Sequence, residues 1–217
     1  MSVSQQIPNP ASPKPRASAA ARSRRATRAR LLESGRLLFA KHGLHGVTTH
    51  DIAHRAEVAA GTFYLHFKNK REVFREIVDG SVSELIECLN CAAQPFYDAE
   101  NQLRDLEGFV VSQAEAMVGF AEENREMIRI LFSADSDAAA IGSDVLNLLA
   151  STIAEGRRDL MAAGVVPSDV DATVLGQVVV GMWAQLLSWW SEDPTRVTRE
   201  VLIQSITRIQ LSGTHPI

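Results

Sequence analysis

The 217-residue chain predicts an all-α protein. Apolar residues recur at helical spacing from Ser23 onward, capping residues stand at several helix entries, and no stretch alternates apolar with polar residues as a half-buried strand would. The pattern divides into about nine helices with no internal repeat.

Residues 1–22 hold four prolines (Pro8, Pro10, Pro13, Pro15) among Ala and Ser, without apolar periodicity, and read as a disordered basic arm. The first helix is expected over 24–42, where Leu31, Leu32, Gly35, Leu38 and Phe39 share a face and Gly43 supplies a C-terminal stop. Thr48 and Asp51 have capping-box spacing and open a short helix over 49–56, with Ile52, Ala53 and Ala56 as its buried face. A turn at Glu57-Val58-Ala59 leads to a third helix over 60–66, anchored by Phe63 and Phe67. Asn69, with Glu72 three residues on, caps the fourth. Breaks are expected at Pro95, near Asn101, around Ser133–Ser136 and at Gly164–Pro167. Ser168 with Asp171, and Asp193-Pro194, are read as starts of the last two helices.

Net charge is −4, which for the whole chain argues against a nucleic-acid binder, but the average hides a split. Residues 1–75 carry 14 Lys and Arg against 4 Asp and Glu; residues 76–217 carry 8 against 22. One end suits phosphate and the other repels it. The two short helices and their tight turn complete the argument, because this unit lays its second helix in the major groove while the first braces it. Thr49 sits at a helix N-terminus that attracts phosphate, Tyr64 and His66 offer hydrogen bonds without negative charge, and Lys70 offers a point charge. Gly61 permits close approach, and Thr62 is placed for a base edge or a thymine methyl.

The segment resembles the DNA-binding domain of the TetR family of transcriptional regulators. The resemblance rests on Gly43, Thr48-Thr49, Asp51-Ile52-Ala53, Ala56, Val58, Gly61-Thr62-Phe63-Tyr64, His66-Phe67 and Lys70, dense over residues 26–74. It implies an N-terminal three-helix helix-turn-helix DNA-binding domain (23–74) joined to a C-terminal helical ligand-binding and dimerisation domain (75–217). It also implies a homodimer that reads a near-palindromic operator in double-stranded DNA and represses transcription until a small-molecule effector binds. The DNA-contacting set is then Arg24, Arg25, Arg28, Thr48, Thr49, Ala60, Gly61, Thr62, Tyr64, His66 and Lys70. Two residues depart from the pattern. Glu57 stands where glycine is common, at a turn position that calls for positive φ, and Ala59 replaces the frequent Ser or Thr cap. Both shift weight onto the basic arm.

The C-terminal half offers an apolar stretch, residues 173–190, nearly long enough to span a bilayer. Its two glutamines and acidic flanks instead predict a buried helix, so no membrane is expected. Val174, Val178, Leu186, Trp190, Val201, Ile206 and Ile209 are the expected dimer contacts, forming stripes on the last two helices. Gly176, Gly181 and Ala184 would allow close helix approach. Phe109, Met117, Phe120, Met127, Phe132, Met161 and Trp183 are candidate pocket residues, suited to an apolar or aromatic effector; the same residues could instead be ordinary packing. A second reading keeps the DNA-binding head but puts control in a protein partner, and predicts a tightly filled body.

Cys88 and Cys91, three apart in a helix, are read as core or near-surface thiols, in keeping with a reducing cytoplasm; the resemblance implies a bacterial, nucleoid-associated protein. His50 and His54 mimic the spacing of a zinc-protease helix, but Asp51 is shorter than the glutamate such a site needs and no third ligand follows. No metal, cofactor or catalytic residue is expected, and the chain is not expected to be an enzyme. The histidines clustered between residues 42 and 66 would add positive charge near the DNA as pH falls.

Overall fold

The computed structural model describes residues 19–98, 102–132, 136–166 and 169–212. Among these residues there are nine α-helices and no strand: α1 (Ala19–His42), α2 (Thr49–Arg55), α3 (Ala60–Tyr64), α4 (Lys70–Ala93), α5 (Leu106–Glu123), α6 (Arg125–Leu131), α7 (Ser136–Ala162), α8 (Ala172–Glu192) and α9 (Arg199–Ser212). A 3₁₀ turn, Gln94–Phe96, follows α4 at Pro95.

Helix α1 is longer than the sequence predicts. Ala19–Arg22, assigned above to the basic arm, form its first helical residues, while residues 1–18 lie outside those described. Gly43 ends α1 at φ +70°, a left-handed conformation that glycine adopts without the clash a Cβ would bring. The capping box at α2 is complete: the Thr48 hydroxyl accepts from the Asp51 N–H (3.1 Å), and the Asp51 carboxylate accepts from the Thr48 N–H (2.9 Å). Asn69 caps α4 through the Glu72 N–H. Helix α2 ends one residue, and α3 two residues, before the expected limits.

Two later helix starts differ from expectation. Asp171 is itself the N-cap of α8, its carboxylate accepting from the N–H groups of Thr173 and Val174, whereas Pro167 and Ser168 lie outside the described residues. Asp193-Pro194 opens a turn and not a helix: Asp193 binds the N–H and hydroxyl of Thr195, and α9 begins only at Arg199. The carboxylate satisfies a local turn, which competes with helix initiation. The breaks expected near Asn101 and over Ser133–Asp135 fall outside the described residues.

Two apolar clusters organise the molecule. The first unites Leu31 and Phe39 of α1, Ile52 of α2, Phe63 of α3 and Val73, Phe74 and Val78 of α4, all buried, and Phe39 meets Phe74 edge-on at 5.5 Å. Leu131 of α6 and Ala138 and Ile141 of α7 complete it from the C-terminal half. The second joins Ala114, Val118 and Ala121 of α5, Ile128 of α6, Trp183, Leu187 and Trp190 of α8, and Leu202, Ile203 and Ile206 of α9. Helix α6 contributes to both.

Helix α8 packs along α7. A Cβ on Gly176 would collide with the Ala150 carbonyl oxygen, so glycine sets that close approach. Gly181, by contrast, faces open space, and Ala184 lines a cavity. Helix α8 is long and apolar enough to cross a membrane by length and composition, but its face bearing Trp183, Leu187 and Trp190 is buried in the second cluster. Trp190 and Ile206, expected at the dimer contact, are 4% and 2% exposed and belong to the core of the single chain. Cys88 and Cys91 are exposed free thiols and form no part of a core.

Candidate nucleic-acid interface and ligand cavity

Helix α3 emerges from a strained, uncapped turn. Glu57 has φ 55°, the only positive φ among described non-glycine residues. Ala59 makes no side-chain cap to α3. The angle between α2 and α3 is held instead by Phe63, fully buried, and by Val58 packed against the first cluster. Beyond that anchor α3 presents Ala60, Gly61 and Tyr64 to solvent, with Thr62 and His66 half-buried beside them. A Cβ on Gly61 would meet no protein atom within 4 Å, so the fold itself does not require glycine there.

Helices α2 and α3 are linked at this surface by a hydrogen bond of 3.0 Å between the Thr49 hydroxyl and the Tyr64 phenol. The pair sits beside the first N–H groups of α2, and so forms a ready donor cluster for a phosphate oxygen. Lys70 donates to the carbonyls of Val47 (2.9 Å) and His45 (3.2 Å), pinning the α1–α2 loop to the start of α4. An ammonium has three donors, and one remains for an anion. Thr48 is more committed. Its hydroxyl donates to Asp51 (2.6 Å) as well as accepting from it, so its side chain serves as the cap.

The arginines divide by role. Arg28 pairs with Glu76, donates to the His66 carbonyl (2.7 Å) and lies 4.1 Å over the Phe67 ring. It therefore staples α1 to the end of α3 and to α4, contrary to its expected place in a DNA-contacting arm. Arg24 reaches the Leu65 carbonyl at 3.4 Å from an exposed position. Arg25 is exposed on the same turn. Burial first, then the charges of Arg24 and Arg28, hold the His66 imidazole below its usual pKa.

In the body, α4, α5, α6, α7 and α8 surround a cavity of about 280 Å³. Phe109, Met117, Phe120, Met127, Phe132 and Trp183, six of the seven predicted pocket residues, line it, but Met161 does not. Leu85, Ile86 and Leu89 of α4, Val145 and Leu149 of α7 and Gln113 of α5 also line it. Their apolar helical spacing is indistinguishable from core packing in sequence, and Gln113 carries no signal there at all. A second, open groove of about 550 Å³ runs between α8 and α9, bounded by Met182, Leu186, Trp189, Val197, Val201 and Ile209. Around it Val174, Val178, Val201 and Ile209 are about half exposed or more (57%, 59%, 48% and 59%), an apolar strip on the outer faces of both helices. No group of three or more potential metal ligands occurs among the described residues.

A helix-turn-helix head with a donor-rich outer face, set on a helical body with an apolar cavity, defines the class of helix-turn-helix transcriptional regulators. Residues 31–77 match the model of bacterial regulatory proteins, tetR family. The match covers the head, which is therefore a TetR-type DNA-binding domain, and the relatives and solved structures that the chain resembles are transcriptional regulators of that kind. It is 26% identical over 171 residues, 76% of each chain, to the "Probable acrEF/envCD operon repressor" of Escherichia coli K12. Two solved structures share its fold. The fatty acid degradation regulator FadR from Bacillus halodurans has a TM-score of 0.67, 17% identity and coverage of 86% of this chain and 95% of its own. A SmeT–triclosan complex has a TM-score of 0.69, 18% identity and coverage of 88% and 92%.

Proposed function

We propose that the protein is a homodimeric repressor, with residues 23–74 as DNA-binding head and 75–217 as body, released from its operator when a small apolar or aromatic effector enters the cavity. The observation that carries this reading is the double membership of α6. Ile128, Leu131 and Phe132 line the cavity, while Leu131 also belongs to the core of the head, with Phe132, Val145 and Leu149 packed against that core. A ligand that spreads this wall displaces side chains on which α1 and α4 rest. The shift in DNA affinity is then limited by the ligand's differential affinity for the two head spacings. Helix α4, which carries Val73 and Phe74 in the head and Leu85 and Leu89 at the cavity, transmits the same displacement.

In this reading Thr49, Tyr64 and Lys70 hold phosphates, Gly61, Thr62 and His66 face the groove, and two heads read sites roughly 34 to 36 Å apart or somewhat more. The acrEF/envCD repressor name supports repression. The triclosan complex supports a compact lipophilic effector. The alternative, control by a protein partner, predicts a filled body and is disfavoured by the cavity. Selection of bound sequences from random DNA, followed by titration of the Tyr64→Ala protein, tests the proposal. The expected result is a near-palindromic site, bound by the wild type and lost by a variant that remains dimeric. Joint loss of DNA binding and dimerisation would mean that the variant misfolds, and an asymmetric single site would overturn the two-headed reading.

A further inference from the structure

We infer that the cavity selects an uncharged, compact ligand of about a dozen non-hydrogen atoms that carries one hydrogen-bond donor, such as a phenolic or alcoholic hydroxyl, presented to Gln113. This rests on the proposal that the cavity is the effector site. The size follows from the volume: a cavity of 150 Å³ accommodates benzene, and about 280 Å³ is a little under twice that. Two fused or linked small rings fill it; a long acyl chain does not.

The charge selection follows from the lining. Among the described residues around the cavity none is Asp, Glu, Lys, Arg or His, and the polar groups are the side chains of Asn90, Gln113 and Thr152 and the indole N–H of Trp183, a donor that cannot pair with a ligand hydroxyl's proton. An ionised ligand would leave water for a wall of Leu, Ile, Val, Phe and Met with no counter-ion, a transfer that strongly disfavours the charged form. Asn90 and Thr152 are exposed and stand at the rim, where Thr152 donates to the Leu148 carbonyl at 3.1 Å.

Gln113 sets the polar specificity. It is half-buried on α5, and its Nε2 donates to the carbonyl oxygen of Leu89 at 2.8 Å. Only the nitrogen end of the amide can make that bond, so the orientation of the group is fixed by its partner. The nitrogen is held against α4, and Oε1 is left as an acceptor. A ligand hydroxyl complements it, whereas a carboxylate would bring a second acceptor to the same place.

Three probes of one shape separate these claims: β-naphthol, naphthalene and β-naphthoate, each measured by equilibrium dialysis at neutral pH against the full chain. The expected order is naphthol tightest, naphthalene about tenfold weaker for want of one hydrogen bond, and naphthoate weaker than naphthol by on the order of a hundredfold or more. Gln113→Leu is expected to bring naphthol down to the level of naphthalene and leave naphthalene unchanged, which also shows that the variant is folded. Ala184→Phe, which fills the cavity, is expected to abolish binding of all three. Binding of naphthoate as tight as that of naphthol, or an unchanged naphthol affinity in Gln113→Leu, would overturn the ligand class while leaving the cavity as a binding site. If no probe binds, or if Ala184→Phe binds all three like the wild type, the cavity is not the effector site and both readings fall together.

Discussion

Gly61 stands on the exposed side of α3 with open space where a Cβ would be. Glycine in a helix is disfavoured relative to alanine by about 1 kcal/mol, so the fold gains nothing from it. Gly61→Ala is therefore expected to stabilise the protein by up to about 1 kcal/mol in urea unfolding and to weaken DNA binding, because the added methyl lies where the groove would approach. A stabilised variant with unchanged DNA affinity would remove Gly61 from the interface. The arginines of α1 give a second contrast. Arg28 is engaged by Glu76, the His66 carbonyl and the Phe67 ring, whereas Arg25 is exposed. Arg25→Gln should weaken DNA binding and reduce the slope of log affinity against log salt by about one. Arg28→Gln should chiefly lower stability, by about 1 kcal/mol for a half-exposed pair. The reverse assignment would show that Arg28 leaves Glu76 for phosphate. From sequence these arginines were equivalent, since Glu76 lies 48 residues from Arg28 and only the packing of α1 on α4 brings them together.

At the scale of the element, carboxylates that cap helices or close turns contribute to the protein's acid sensitivity. Asp51 is held below the ordinary carboxylate range by the Thr48 hydroxyl and then by its N–H, Asp171 by the N–H groups of Val174 and Thr173, and Asp193 by the hydroxyl and N–H of Thr195. A carboxylate with a lower pKa folded than unfolded contributes stability that is complete above the unfolded value and lost as pH falls through the folded one. His66 follows the same direction. Its imidazole is depressed by burial and by Arg24 and Arg28, so its contribution is present above 6.5 and lost as pH falls. Stability should thus decline in two stages, below about pH 6.5 and again below about pH 4. His66→Gln should remove the first stage and Asp51→Asn should flatten part of the second, as followed by urea unfolding across pH. Unaltered profiles in both variants would place the acid sensitivity elsewhere. The helices themselves were legible because caps are local: Thr48 with Asp51, Asn69 with Glu72 and Gly43 each act within four residues. The same local chemistry misled at Asp193-Pro194, where an aspartate satisfied a turn before a helix could begin.

For the whole molecule, the proposed dimer rests on the division between inner and outer faces of α8 and α9. Val178 and Ile209 are each 59% exposed, while Trp190, whose indole N–H donates to the Val197 carbonyl at 3.2 Å, is buried. Val178→Glu or Ile209→Glu should convert a dimer into a folded monomer by light scattering, with helicity retained. Trp190→Glu should unfold the chain instead, since it places a charge in the second cluster. A dimer that survives both outer substitutions would exclude this strip as the interface. The stripes were visible in sequence, but their rotation was not. Whether Val174 or Trp190 points inward depends on how α8 seats against α7 and α6, which no single helix specifies.

The head's core is finished by Leu131, Ala138 and Ile141, residues borrowed from α6 and α7. A chimera that grafts residues 19–93 onto a foreign body would arrive with an unfilled apolar notch, and would need matching partners from the host to recover a firm platform for its reading helix. If the cavity is the effector site as proposed, divergence is coupled through Leu131, which lines the cavity and also belongs to the head's core: a lineage that reshapes that wall for a new chemical also edits the head's packing, so new effector responses and altered operator affinity are expected to arise together.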